Sequence, residues 1–240
     1  MRVAVLSDIH ANLVALDAVL AAIGSIDAVW HLGDVVGYGP DPDGVVVRLA
    51  SIGAVGVAGN HDLAAVGGDQ IDWFNPDARA AMEWTRGRLA TTTRAWLTAL
   101  PTTRREADMT LVHGSPRDPV WEYVTSVPIA RANLAALETT IGLHGHTHVP
   151  MAWADRDGRL DAISPGPGSS FHLDGQPALL NPGSVGQPRD GDPTASWLEI
   201  DTDAAVATWR RTGYDIELVR SAMLDAGLPA RLADRLRLGL

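Results

Sequence analysis

Seven residues of the chain carry metal-binding side chains and follow apolar segments. They comprise two carboxylates, one carboxamide and four imidazoles: Asp8, His10, Asp34, Asn60, His113, His146 and His148. Oxygen and nitrogen ligands in this number are enough for two divalent cations. In extended backbone, residues two apart point the same way, so Asp8 with His10, and His146 with His148, are expected to present paired ligands.

The elements before these residues predict how they meet. Residues 2–7, 28–32 and 54–58 are apolar and β-rich and predict buried parallel strands, with helices expected near 13–23 and 42–50. Asp34 lies 26 residues after Asp8 and 26 before Asn60. Right-handed crossovers place the carboxyl ends of such strands along one edge. Asp34, on the central strand, is the candidate for a carboxylate that bridges both metals.

The rest of the chain predicts further elements around this edge. A helical insertion is expected at about 62–105, and strands at 109–112 and 140–143 run into His113 and His144. Turn dipeptides such as Asp157-Gly158 indicate hairpins of a second sheet over 149–212, and 215–240 predicts two short C-terminal helices. A single domain, 1–240, is expected because two halves would each have a smaller and less stable core.

Composition excludes several kinds of chemistry. The chain of 240 residues has no cysteine, which removes disulfides, thiolate nucleophiles and thiolate metal sites. All 19 basic residues are arginine, so a Schiff base and a phosphate-loop lysine are excluded as well. Any metal site must therefore use nitrogen and oxygen ligands.

Charge and hydropathy indicate the kind of partner. A net charge of −10 argues against a long nucleic acid and favours a small phosphorylated substrate, although acidity by itself also serves solubility. No apolar run approaches the length of a membrane helix or a secretory signal, so we expect a cytoplasmic protein with no membrane partner. The sequence leaves the oligomeric state open.

Five short motifs together resemble those of the calcineurin-like metallophosphoesterases. In chain order they are Asp8-Ile9-His10, Gly33-Asp34, Gly59-Asn60-His61-Asp62, His113-Gly114 and Gly145-His146-Thr147-His148. The resemblance covers the chain from Met1 to about Pro150, and all five in order are specific where one alone is weak. It implies an α/β fold, a four-layer α/β/β/α sandwich of two mixed sheets with the metals at the strand ends.

The resemblance also implies a role for each motif residue. One metal would be held by Asp8, His10, Asp34 and His148, and the other by Asp34, Asn60, His113 and His146. A hydroxide shared by the two metals would attack phosphorus in line with the leaving group, and His61 would protonate the departing oxygen. Imidazole and carboxylate ligands suit manganese, which we favour, or iron, zinc, nickel or cobalt, better than magnesium or calcium.

One departure from the wider family narrows the expected substrate. Serine/threonine protein phosphatases of this fold carry Asp and Arg three and four residues after the bridging Asp, where this chain has Gly37 and Tyr38. The run from Gly33 to Pro40 instead resembles small bacterial phosphodiesterases and relatives of dinucleoside polyphosphate hydrolases. We therefore expect a phosphodiesterase acting on small nucleotide-like substrates.

Three alternatives remain open at this point. Two are enzymes, an asymmetric dinucleoside polyphosphate hydrolase and a phosphomonoesterase. The third is a non-catalytic protein-binding scaffold, because a vacuolar-sorting subunit of this fold has lost catalytic residues. Here every ligand position and His61 are present.

Four residues outside the ligand set are candidates for substrate contact: Tyr38, Arg117, Tyr123 and Arg189. Arg117 and Tyr123, with Trp121, follow His113 in a proline-containing loop, where they could hold phosphate and stack on a base. Arg189 follows a second loop that begins with Asn181-Pro182-Gly183-Ser184. An ordinary surface loop is the alternative interpretation of these residues.

Overall fold

The computed structural model describes residues 1–156 and 158–240, without the side chains of residues 69 and 70. Within these residues the strands form two six-stranded sheets, each with parallel and antiparallel pairs. Asp157, predicted to form a turn with Gly158, lies outside the described residues.

The first sheet contains the three strands predicted at the start of the chain. In spatial order its strands are β3 (Val55–Gly56), β2 (Ala28–His31), β1 (Arg2–Leu6), β11 (Ala195–Asp201), β12 (Val206–Thr212) and β9 (Ser170–His172). β1 pairs in parallel with β2, and β2 with β3. On its other side β1 pairs antiparallel with β11.

The second sheet is built around the strands that precede His113 and His144. In spatial order its strands are β4 (Thr103–Glu106), β5 (Met109–Val112), β6 (Ile141–Leu143), β10 (Ala178–Asn181), β7 (Met151–Arg156) and β8 (Arg159–Ile163). β5, β6 and β10 are parallel neighbours. Their carboxyl ends therefore lie at one edge, as those of β1, β2 and β3 do in the first sheet.

Helices cover the outer faces of both sheets. The α-helices are α1 (Leu13–Ala22), α2 (Pro42–Ser51), α3 (Asn60–Ala65), α4 (Pro76–Arg88), α5 (Thr91–Thr98), α6 (Val127–Ala136), α7 (Ile216–Asp225) and α8 (Ala230–Asp234). Short 3-10 helices span Asp69–Trp73 and Arg235–Arg237. The side chains of Asn12 and Asp41 accept hydrogen bonds from the first turns of α1 and α2, which fixes where these helices begin.

The apolar residues of β1 divide the interior into layers. Ala4 and Leu6 pack with Leu16 of α1 outside the first sheet, whereas Val3 and Val5 pack against the second sheet. Successive side chains of a strand point to opposite faces, so one strand supplies two cores. On the far side, α6 covers Leu179 and Trp153 of the second sheet. The predicted α/β/β/α sandwich is confirmed.

Two expectations about the elements are wrong. The whole 149–212 region is expected to form hairpins of the second sheet, but β11, β12 and β9 extend the first sheet through the pairing of β11 with β1. Only β7, β8 and β10 of the 149–212 region belong to the second sheet. The helical insertion expected to residue 105 ends its last helix at Thr98, and Thr103–Glu106 form β4.

The two sheets touch at the edge where their parallel strands end. The ring Nδ1 of His113, after β5, lies 2.8 Å from the carbonyl oxygen of Leu32, after β2. A Cβ atom on Gly145 would lie 2.0 Å from Ser7 Oγ, so only glycine permits this approach of the loop after β6 to the end of β1. Among the described helices, none combines the length and apolar character that crossing a membrane requires.

Candidate metal centre

Four of the predicted ligands form a first cluster at this shared edge. The candidate ligand atoms of Asp8, His10, Asp34 and His148 all lie within 4.8 Å of one another, and all four residues are buried. His148 Nε2 lies 3.1 Å from His10 Nε2 and 3.3 Å from Asp8 Oδ1. Asp8 and His10, which the sequence places two residues apart, therefore meet His148 at one point.

A second cluster lies beside the first and shares Asp34 with it. The ligand atoms of Asp34, His113 and His146 lie within 4.8 Å of one another. His113 Nε2 is 3.0 Å from His146 Nδ1 and 3.1 Å from Asn60 Oδ1, which brings the carboxamide into this group. All seven predicted ligands are thus assembled in the two clusters.

Asp34 is placed as a bridging carboxylate would be. Its Oδ2 atom lies 3.6 Å from His10 Nε2 in the first cluster and 3.4 Å from His113 Nε2 in the second. Its other oxygen, Oδ1, accepts a hydrogen bond from the backbone N–H of His61 at 2.9 Å. That bond fixes the rotation of the carboxylate, so Oδ2 stays between the clusters.

Backbone carbonyl groups set which nitrogen each histidine presents to the centre. The Nδ1 atoms of His10, His113 and His148 lie 3.2, 2.8 and 2.6 Å from the carbonyl oxygens of Val36, Leu32 and Gln187. A carbonyl oxygen can only accept, so each Nδ1 carries a proton and donates it. The Nε2 lone pairs of His10 and His148 then face the cluster, as in ligating histidines.

The two clusters fit divalent cations. With both Nδ1 protons directed at carbonyls, the Nε2 lone pairs of His10 and His148 face each other at 3.1 Å, which is repulsive unless a cation lies between them. Ligands at right angles around a metal, with bonds of about 2.1 Å, lie about 3 Å apart. Asp8 Oδ1, buried at the centre, has no hydrogen-bond partner in the described part of the chain. The donors suit a divalent metal pair.

The backbone of the ligand loops is left-handed, not extended. Asp8, His10, Asp34, His146 and His148 have φ angles of 52°, 49°, 51°, 66° and 60°. The reason given above for the paired ligands is therefore wrong, although Asp8 and His10 do meet in the first cluster, while His146 and His148 lie in neighbouring clusters. Left-handed conformations cost about 1–3 kcal/mol each in non-glycine residues and cluster at functional sites. Hydrogen bonds such as His10 N–H to Asp34 O, at 2.9 Å, hold them in place.

Burial and neighbouring charges set the protonation of the cluster. Burial lowers the pKa of His10, His146 and His148 well below the usual value, so all three are neutral at pH 7 and able to bind cations. Burial also opposes charge on His113, but the carboxylates of Asp34 and Asp8 raise its pKa to about 9. Before a cation binds, the second cluster therefore holds a proton on His113.

His61, the predicted acid, lies at the boundary between the metal clusters and a cleft. Its ring packs against Tyr38 and Phe74, with ring centroids 4.4 and 4.7 Å apart, and burial lowers its pKa to about 4. Gly37 passes directly behind this ring, where an added Cβ would lie 2.4 Å from His61 Nδ1. The glycine that distinguishes this chain from protein phosphatases therefore makes room for His61.

A cleft of about 290 Å³ opens from the metal clusters and contains most of the predicted substrate contacts. Tyr38, Tyr123 and Arg189 line it, as does Trp121. The Tyr123 ring stacks on His146, with ring centroids 3.7 Å apart and an angle of 20° between the planes. These residues come from three loops that follow β2, β5 and β10.

Arg117 does not reach the cleft. It is exposed, its guanidinium lies 4.0 Å from Glu122, and its backbone N–H donates to Asn133. The interpretation as a surface-loop residue is correct here, and substrate contact by Arg117 is wrong. The loop turns at Ser115 and Asp118, which bond to each other, and this turn directs Arg117 away from the metal clusters.

The cleft also contains residues that the sequence analysis missed: Trp73, Phe74, Asn75 and Arg235. The first three immediately precede α4, and two adjacent aromatic residues before the Asn75 cap of a helix that begins with proline were an available signal. Arg235 lies in the C-terminal 3-10 helix, far from every motif in the sequence. No pattern in its surroundings indicates a part in the site.

Comparison with known proteins agrees with this geometry. Residues 1–203 match the calcineurin-like phosphoesterase superfamily domain. The chain is similar to a metallophosphoesterase from Sphaerobacter thermophilus of known crystal structure, with 41% identity and a TM-score of 0.92, covering 100% of this chain and 99% of that one.

Two archaeal proteins extend the comparison over the whole chain. Uncharacterized protein MJ0912 of Methanocaldococcus jannaschii is 33% identical over 244 residues, covering 99% of this chain and 98% of that protein. Hypothetical protein PH1004 of Pyrococcus horikoshii OT3 has the same fold, with a TM-score of 0.82 at 20% identity over 100% of this chain and 98% of that one. The chain therefore belongs to the calcineurin-like phosphoesterase superfamily and is a metallophosphoesterase, a hydrolase of phosphoric esters.

Proposed function

We propose that this metallophosphoesterase hydrolyses small phosphodiesters that carry a nucleotide-like aromatic group. The observation that carries the proposal is the aromatic wall beside the metal clusters, formed by Trp73, Phe74, Trp121 and Tyr123. Trp121 lies with its ring centroid 5.0 Å from that of Trp73 and 5.8 Å from that of Phe74. Aromatic side chains stack on nucleobases with about 1–3 kcal/mol per base.

The size of the cleft supports a small substrate. A volume of about 290 Å³ lies at the lower end of the range for small-molecule sites. Trp73 of the wall is 69% exposed, so its ring is accessible to a ligand in the cleft. A volume of this size suits a nucleotide-sized molecule.

The proposed metal ligands are those that the two clusters supply. Asp8, His10, Asp34 and His148 would hold one ion, and Asp34, Asn60, His113 and His146 the other. When bound, the ions supply positive charge for the phosphoryl oxygens and lower the pKa of the attacking water. We propose manganese as the native metal, with iron, zinc, nickel and cobalt as the alternatives that this donor set admits.

His61 is proposed to donate a proton to the leaving oxygen. Burial lowers its pKa to about 4, so His61 is neutral at pH 7 until a negatively charged phosphoryl group binds beside it. That charge favours the protonated ring and raises the pKa. Arg189, which lines the same cleft, would orient the phosphoryl group through charge-assisted hydrogen bonds.

A pair of substrates with one leaving group tests the proposal. The manganese-loaded protein should hydrolyse thymidine 5′-(p-nitrophenyl) phosphate with a higher kcat/KM than methyl p-nitrophenyl phosphate, because only the first carries a base. Trp121→Ala should lower this ratio about 10- to 100-fold, and Trp121→Phe, which keeps a ring, should retain most of it. Equal kcat/KM for both diesters, or faster hydrolysis of p-nitrophenyl phosphate, contradicts the proposal.

A further inference from the structure

Two arginines of the cleft differ in their ionic contacts from three arginines of the C-terminal region. Arg211, Arg220 and Arg237 each pair with an Asp or Glu. Arg189 and Arg235 both line the cleft, and in the described ranges neither has an Asp or Glu carboxylate within 4.0 Å. Two guanidinium groups that line the same cleft as the metal clusters make this side of the cleft favourable for an anionic ligand.

The polar contacts of Arg189 hold it beside the metal clusters. Its Nε and Nη2 atoms donate to Gln187 Oε1 at 3.3 and 2.8 Å, and its backbone N–H donates to the carbonyl oxygen of His148 at 3.3 Å. Gln187 in turn accepts the Nδ1 proton of His148 through its own carbonyl oxygen. Arg189 is therefore positioned by the same loop that orients a predicted metal ligand.

Arg235 reaches the cleft from the C-terminal 3-10 helix. Its Nε atom donates to the backbone oxygen of Leu240, which leaves the two terminal nitrogens of the guanidinium for other partners. Burial lowers the pKa of Arg235, and the nearby guanidinium of Arg189 lowers it further. Both guanidinium groups line one cleft, so their charges repel each other, and an anion bound between them would offset that repulsion.

The space beyond Arg235 is large enough for part of a substrate. Arg235 and Asn75 line the cleft at the metals and also an adjoining cavity of about 670 Å³. This cavity is bounded on one side by the start of α4 and on the other by the C-terminal residues Arg231, Leu238 and Leu240. A molecule bound at the metals and extending past Arg235 would enter it.

We propose that Arg189 and Arg235 together bind a second phosphate group of the substrate, next to the one that is hydrolysed. This inference rests on the proposed function and refines it: the substrates are nucleotides with at least two phosphate groups. The C-terminal 3-10 helix is then part of the substrate site, and Arg235 determines specificity for the second phosphate. A guanidinium pair suits this role because each forms charge-assisted hydrogen bonds with phosphate oxygens.

Calorimetric binding to the metal-loaded protein tests the proposal without turnover. The probes are AMP and α,β-methylene-ADP, which differ by one phosphate group and a bridge that is not hydrolysed. We expect the wild-type protein to bind the methylene analogue at least about tenfold more tightly than AMP. Arg235→Gln should lose that preference with AMP affinity unchanged, and Arg235→Lys should retain part of it.

Arg131→Gln is the matched control, because it removes one positive charge from α6, which covers the opposite face of the second sheet. It should behave as wild type.

Equal affinities of wild type for the two probes overturn the proposal, as does an Arg235→Gln variant that keeps the preference or loses both affinities equally. The wild-type and Arg235→Lys measurements decide the question even if Arg235→Gln does not fold. If the wild-type protein prefers α,β-methylene-ADP to AMP but hydrolyses no nucleotide diester, only the proposed function is refuted.

Discussion

The metal clusters and the cleft wall lie side by side but are built differently. The seven predicted ligands are at most 4% exposed and follow parallel strands of both sheets, six in loops and Asn60 at the start of α3. Trp73 and Tyr123 of the wall are 69% and 46% exposed, and the cleft beside it draws on separate segments, including the C-terminal 3-10 helix. The clusters depend on the meeting of two sheets, whereas the wall depends on the length and direction of loops.

The difference separates the chemistry from the choice of substrate. Left-handed residues in the ligand loops require many surrounding hydrogen bonds, such as Gly186 N–H to Asp8 O at 3.0 Å and Ser184 Oγ–H to the same oxygen at 2.8 Å. A change there disturbs the whole edge. The wall residues make few such bonds, so substitutions in the wall should alter substrate preference and leave the metals in place.

Asp34→Asn should give the largest effect, because Asp34 is shared by both clusters. An asparagine has the same shape but no charge, so it no longer balances two cations. We expect the variant to lose both ions and to hydrolyse phosphoesters at the background rate. Mass spectrometry measures the metal content of the variant, with Asp17→Asn on the surface of α1 as the control. An Asp34→Asn protein that retained both ions would refute the bridging role.

His61→Gln should lower kcat with the metals retained. If His61 donates the proton, kcat falls about 100- to 10,000-fold for a substrate with a poor leaving group and much less for p-nitrophenolate, which leaves without a proton. Gly37→Ala should act in the same direction, since its Cβ would collide with His61 Nδ1. The same loss for both leaving groups would assign His61 a positioning role instead.

The sequence was sufficient to predict which side chains form the two clusters, because each of them follows a recognisable strand or short motif. Asp8, Asp34 and Asn60 follow strands at equal spacing, and parallel strands joined by similar crossovers end at one edge. The fold class followed from the same pattern. The pairing of β11 with β1 did not, because antiparallel partners almost 200 residues apart leave no periodic signal near either strand.

The sequence predicts only some of the residues that line the cleft. Tyr123 and Arg117 lie in one loop, and nothing in the sequence distinguishes the ring that stacks on His146 from the guanidinium that turns outward. That choice depends on the turn between Ser115 and Asp118. The position of Arg235 is even harder to predict, because it depends on how the C-terminal helices pack on α4.

Metal affinity should change with pH through the second cluster, an effect of tenfold to hundredfold. Asp34 and Asp8 raise the pKa of His113 to about 9, so at pH 7 a cation must displace a proton. Apparent affinity should then rise about tenfold per pH unit from pH 7 to 9 and level off above it. Calorimetry in buffers of different ionisation enthalpy measures the number of protons released on metal binding, which is expected to be about one at pH 7. No proton release would contradict the His113 assignment.

Tyr123→Ala should give the smallest effect and the cleanest separation of the two regions. The ring stacks on His146 but is 46% exposed, so its removal leaves the ligand nitrogen in place and opens the wall. We expect unchanged metal content and a rise of about fivefold in KM for a nucleotide diester, from the loss of about 1 kcal/mol of stacking. Tyr123→Phe keeps the ring and should match wild type. If Tyr123→Phe raises KM as much as Tyr123→Ala does, the hydroxyl and not the ring contacts the substrate. Loss of metal in either variant would show that Tyr123 helps to hold the metal clusters together.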